Sequence, residues 1–272
     1  MSRSARLVPA ALALAVALSA CSKSSDTTVP IYLDQEFGDE IAQHVGMLIA
    51  AGNGGSMLTL TATAATIPAG ASISQDAVRP ARDTLFAAGA VAWSLVDTFF
   101  TAGNTPQTDY DALSTHGAIH ADGAGQIHSA TFNASFLHHA DLKATGLLAL
   151  RDTIDLAGTA RDSSRAVFVG KFTAATCRLL LVSTITHENG IVLKGQSPAT
   201  PPLSALSDWT VNATRYDTAD TTKVNRASPV QVLIGYDGTT HAVMQVGGLY
   251  DYQVDLATGD ITRYGAQPLA GR

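Results

Sequence analysis

Apolar residues recur at two different spacings in this chain, and the change of spacing divides it. Over 34–51, Phe37, Ile41, Val45 and Leu48 fall three or four residues apart, which stacks them on one stripe of a helix. Asp34, Glu36, Asp39 and Glu40 crowd its first turns, where negative charge suits the helix dipole. Gly46 weakens the middle, and His44 lies beside the stripe as a boundary residue rather than a ligand. Gly52-Asn53-Gly54-Gly55 then stops the helix, because these residues tolerate positive φ.

From about Met57 onward the spacing turns to two. Val91, Trp93, Leu95 and Phe99 alternate with smaller or polar neighbours, and Ala130, Phe132, Ala134 and Phe136 alternate with Thr131, Asn133 and Ser135. The same reading predicts strands at 141–148, 153–160, 166–173, 177–186, 209–216, 230–236, 241–246, 250–256 and 261–264. Glu188-Asn189-Gly190-Ile191 predicts a two-residue hairpin; Asp237-Gly238 and Thr258-Gly259 predict two more. Connections this short require antiparallel neighbours, since parallel strands need long crossovers. The stretch 196–207, with Pro198, Pro201 and Pro202, reads as an extended surface loop or crossover rather than a domain border. The expected fold is mainly β: an antiparallel meander or sandwich-like sheet of about ten to twelve strands, covered on one face by an N-terminal amphipathic helix.

The first thirty residues belong to neither pattern. Arg3 and Arg6 precede an apolar run over 7–18, and Leu18-Ser19-Ala20-Cys21 follows. A basic head, a short apolar core and small residues before a cut describe a secretion signal, far below the roughly 20 residues a spanning helix needs. With its cysteine, the run resembles the lipobox of bacterial lipoprotein precursors. That resemblance covers residues 1 to about 22. It implies cleavage between Ala20 and Cys21, diacylation of the Cys21 thiol, usually acylation of the new amino terminus, and anchorage in a lipid bilayer. Ser22, where an aspartate would favour the inner membrane, implies the outer membrane of the cell envelope. A single acyl chain holds weakly, whereas two or three hold durably. The expected organisation is a signal peptide over 1–20, a flexible tether over 21–30 and a single β-rich domain over 31–272. The tether composition, SKSSDTTVP, lets it reach about 35 Å when extended.

Charge and composition narrow the partners. The net charge of −6 becomes −8 once Arg3 and Arg6 leave with the signal, which argues against nucleic acid and anionic headgroups. Hydrophobic residues at 46% and charged residues at 15% supply a real core. With Cys21 acylated, Cys177 has no partner, and in Ala174-Ala175-Thr176-Cys177-Arg178-Leu179 it reads as a buried, inert thiol.

Histidines are the main candidates for chemistry. His116 and His120 share one strand face, and Asp122-Gly123-Ala124-Gly125-Gln126 suits a three-residue turn. In that register His120 would face His128, on a face continuing into Phe132 and Phe136, and three imidazoles would share zinc or copper. Histidines paired with hydroxyls or water are the plainer reading. His138 and His139 point to opposite faces of a strand. Asp217 and Asp220 lack the alternating ligands of a calcium loop. No Gly-x-Ser-x-Gly elbow, His-Glu-x-x-His motif or Walker loop occurs, so no catalytic, metal or cofactor residue is assigned. The expected function is a membrane-anchored envelope lipoprotein whose non-catalytic β domain is structural or binds an envelope protein, a polymer or a small ligand. The alternatives are a hydrolase with a site assembled only in space, and a periplasmic metal binder using His116, His120 and His128.

Overall fold

A computed structural model describes residues 33–66 and 82–264, apart from 89, 108–109, 112, 149–150 and 221–223. The expected signal, cleavage site and tether lie outside the described residues, as do Ala20 and Cys21. Two helices come first, α1 (Gln35–Ile49) and α2 (Met57–Thr66), joined by a 3₁₀ turn, Ala51–Asn53. Then come β1 (Arg82–Ala88), β2 (Ala90–Phe100), β3 (Pro106–Gln107), β4 (His116–His128), β5 (Phe132–Thr145) and β6 (Thr153–Val169). The chain continues with β7 (Thr176–Leu193), β8 (Ser204–Tyr216), β9 (Val224–Tyr236), β10 (His241–Val246), β11 (Tyr250–Asp255) and β12 (Ile261–Arg263). All twelve strands form one antiparallel sheet in sequence order, with β3 paired only to β2. The mainly β class, the meander and the N-terminal helix therefore stand as expected. No helix among the described residues is long and apolar enough to cross a membrane.

Both helices pack on the inner face of the sheet, α1 against β10, β11 and β12, and α2 against β7. Asp34 caps α1 by accepting the Phe37 amide at 2.9 Å. The amphipathic stripe is only part of what α1 buries: Asp39, Glu40 and His44 are buried as well. Glu40 and Glu36 meet Arg215 at 3.2 and 3.0 Å, and Asp39 meets Arg263 and the Tyr252 hydroxyl. His44, expected at the boundary, is instead wholly enclosed, with Nε2 2.8 Å from Ser164 Oγ and Phe132 and Phe168 beside its ring. Cys177 is buried as expected; its Sγ donates to Glu40 Oε1 at 3.2 Å, and burial pushes the thiol up to about 12.

Several elements correct the sequence reading. Residues 57–66 were expected to begin the strand pattern, yet they form α2. Met57, Leu58, Thr59, Leu60 and Thr61 are all buried, so no polar face exists to mark a helical period. The separate strands predicted at 130–136 and 141–148 are one strand, β5, and those at 153–160 and 166–173 are one strand, β6. Asp237-Gly238 and Thr258-Gly259 do close turns, with Gly238 and Gly259 at φ 84° and 77°. Asn189-Gly190 does not, because β7 runs straight through it. A Cβ on Gly190 would sit 3.3 Å from Leu60 of α2, so this glycine admits the helix.

Candidate functional site

Strands β4 to β7 carry two polar clusters, one on each face. The inner cluster begins with a row of directly opposed residues: Trp93 faces Gly123, Gly123 faces His138, His138 faces Asp162, and Asp162 faces Ser183. Gly123 is small for a reason of space, since a Cβ there would lie 2.9 Å from the Trp93 ring. The ring fills that gap 5.3 Å from the His138 ring and donates its Nε1 hydrogen to Gly54 O. From above, α2 lowers Thr59 onto the row. Thr59 Oγ1 is 2.7 Å from His138 Nε2, and His138 Nδ1 is 2.5 Å from Asp162 Oδ1.

A hydroxyl, an imidazole and a carboxylate in this order are the parts of a nucleophilic relay. The setting removes the chemistry. Thr59 is 1% exposed, and His138 and Asp162 are enclosed with it, so the hydroxyl meets helix and sheet rather than substrate. The trio ties α2 to the sheet. Glu188 reaches the same interior because a register shift between Ile185 and His187 turns it inward. Burial pushes its carboxyl up to about 7, while Ser207, directly opposite, and His138 act the other way. Its Oε2 atom has no hydrogen-bond partner.

The outer cluster sits one residue along the same strands. His120-Ala121-Asp122 on β4 and His139-Ala140-Asp141 on β5 run antiparallel and meet about Ala121 and Ala140. His120 therefore faces Asp141, and Asp122 faces His139. His120 Nδ1 is 2.7 Å from Asp141 Oδ1, and His139 Nδ1 is 2.8 Å from Asp122 Oδ1. Each second ring nitrogen lies 3.4 Å from the other aspartate. The two imidazoles stand edge to face, 4.7 Å between centroids. Hydrogen bonding to Asp122 raises His139, and hydrogen bonding to His120 lowers Asp141.

A cavity of about 810 Å³ lies on these strands, with Leu137, Val182, Ala92 and Ala124 as apolar lining and Asp122, His139, Arg161 and Thr184 as polar lining. A smaller cleft of about 210 Å³ adjoins His139, Asp141, Thr159 and Arg161. The outer sheet face thus offers an apolar floor beside nitrogen and oxygen donors.

The expected trio of His116, His120 and His128 does not converge. All three do face outward, but on one continuous strand, since 122–126 is the middle of β4 and not a turn. Eight residues of strand separate His120 from His128 by about 26 Å. Phe132 and Phe136 lie on the opposite, inner face. His138 and His139 point to opposite faces as expected. Asp217 Oδ1 accepts the amides of Ala219 and Asp220, the arrangement of an ordinary turn. The sequence reading overlooked Asp122, His139 and Asp141 as partners of His120. The signal was present in the repeated His-Ala-Asp triplet. Compared with protein families, curated proteins and solved structures, the chain matches none of them.

Proposed function

We propose that this protein is a lipoprotein of the bacterial cell envelope, cut between Ala20 and Cys21, acylated on Cys21 and held in the outer membrane. Its β domain acts there as a non-catalytic binding module. Leu18-Ser19-Ala20-Cys21 behind a basic, apolar leader is the observation that carries the anchor. Two or three acyl chains on one residue hold durably, at about 0.8 kcal/mol for each buried methylene. The binding role is supported by the outer sheet face, where an apolar cavity adjoins exposed histidine, aspartate and arginine side chains. A non-catalytic role is supported by the seal on Thr59, His138 and Asp162, which a substrate reaches only if α2 leaves the sheet.

Mass spectrometry of the membrane fraction tests the anchor. The expected N-terminal peptide begins at Cys21 and carries a diacylglyceryl group, and Cys21→Ala leaves the protein unprocessed at this site. An unmodified residue 21, or a Cys21→Ala chain that matures and stays membrane-bound as before, defeats the proposal.

A further inference from the structure

We propose that His120, His139, Asp141 and Asp122 form a binding site for a divalent transition-metal ion, zinc fitting best, on the outer face of the sheet. This deepens the binding reading by naming a ligand class, and it does not depend on the anchor. One donor atom each from His120, His139 and Asp141 lie within 4.8 Å of one another. Donors arranged tetrahedrally at about 2.1 Å from zinc stand about 3.4 Å apart. The nitrogen–oxygen distances in the quartet, 2.7, 2.8, 3.4 and 3.4 Å, lie at or below that separation and involve both ring nitrogens and both carboxylate oxygens of each residue. Side-chain rotations that turn one donor atom of each residue onto a common ion would close the site. The backbone beneath is fixed, because all four residues lie well inside the paired lengths of β4 and β5.

Donor chemistry selects the ion. Two imidazoles and carboxylates suit zinc, nickel or copper(II), whereas calcium and magnesium take oxygen shells. With neutral imidazoles the quartet carries two negative charges, which a dication cancels. Asp122 either completes the shell or remains on His139 Nδ1, where it orients the ring and strengthens the other nitrogen as a ligand. The four side chains are roughly half exposed, so ions enter freely and water keeps a coordination position.

Calorimetric titration of the full chain, purified in detergent, stripped with chelator and mixed with zinc chloride, tests the site. One ion per chain is expected. Loss of even an outer-sphere partner weakens metal binding by about tenfold to a hundredfold, so His120→Ala, His139→Ala and Asp141→Asn should each cost at least about tenfold. His128→Ala, on the same face but distant, should leave the titration unchanged. Cobalt(II) should show the visible absorption of a four-coordinate site in the parent chain and lose it in the His120→Ala/His139→Ala variant. Unchanged thermal unfolding without metal confirms that each variant is folded. No saturable zinc binding by the parent, or undiminished binding by the double variant, overturns the site. Repeating the titration with Cys21→Ala separates the claims: the zinc result is independent of acylation, and a failed metal site leaves the anchor standing.

Discussion

His138 and His139 are neighbours in sequence and make the same bond, Nδ1 to an aspartate on the adjacent strand, at 2.5 and 2.8 Å. Their surroundings differ. The side chain of His138 is 2% exposed and that of Asp162 1%, whereas His139 and Asp122 are 43% and 55% exposed. Outside, water can replace either partner, so the pair contributes about 0–1 kcal/mol. Inside, no water waits, and removing one partner strands the other. Equal geometry therefore gives unequal energetics: the inner pair holds the fold together, and the outer pair is free to serve a ligand.

The widest separation between the two faces should come from His138→Leu. That change leaves Asp162 buried without its imidazole and breaks the bond from Thr59 to His138, while Asp162 Oδ2 already lacks a hydrogen bond. Breaking a buried pair this way costs about 3–5 kcal/mol, read as a lower urea midpoint. Adding Asp162→Leu to it should recover most of the loss, because replacing both members of the pair with apolar groups removes the stranded carboxylate. If His138→Leu costs no more than His139→Leu, the inner trio does not brace α2, and the contrast fails.

How much of this was legible follows from where the polar residues went. The helix expected over 34–51 closely matches α1, since Asp34 caps it and its apolar stripe has the right period. Turns at Asp237-Gly238 and Thr258-Gly259 were legible because each glycine adopts positive φ there. The glycines in Asp122-Gly123 and Asn189-Gly190 misled for a physical reason: they make room for Trp93 and Leu60 inside strands. A glycine that admits a neighbour and a glycine that turns the chain look alike in sequence. The trio of Thr59, His138 and Asp162 was out of reach, because 79 and 24 residues separate its bonded pairs and α2 itself was hidden. The outer quartet was half legible: two His-Ala-Asp triplets announce a pair of matching edges, but only the register of β4 on β5 makes them meet.

Acidity gives a second, smaller way to sharpen the contrast, because the inner face holds ionisable groups away from water. The folded chain keeps the Glu188 proton up to about pH 7, while an unfolded chain releases it near 4.5. Between those values the folded state binds more protons, so this group makes stability fall as pH rises from 4.5 to about 7. The full span amounts to about 3 kcal/mol. His44 acts with the opposite sign. Burial lowers it to about 3 from 6.5, so its contribution is present above 6.5 and is lost as pH falls toward 3. The two slopes oppose each other between 4.5 and 6.5. Glu188→Gln should remove the loss on the alkaline side, making the variant the more stable chain at about pH 8 but not at about pH 4. Urea unfolding at both pH values measures this; an unchanged alkaline limb would place Glu188 in contact with water.

The smallest effect is expected on the outer face, and its smallness carries the argument. Asp122→Asn removes one charge from a quartet whose members are all roughly half exposed, with hydration able to replace what is lost. The urea midpoint should correspond to a change within about 0.5 kcal/mol, and added salt should shrink it further by screening. A quartet that repeats His-Ala-Asp on two paired strands yet contributes so little to stability is not accounted for by folding alone. A loss of about 2 kcal/mol or more from Asp122→Asn would place the quartet among the groups that hold the sheet together. The difference between the two faces would then be one of exposure only, not of role.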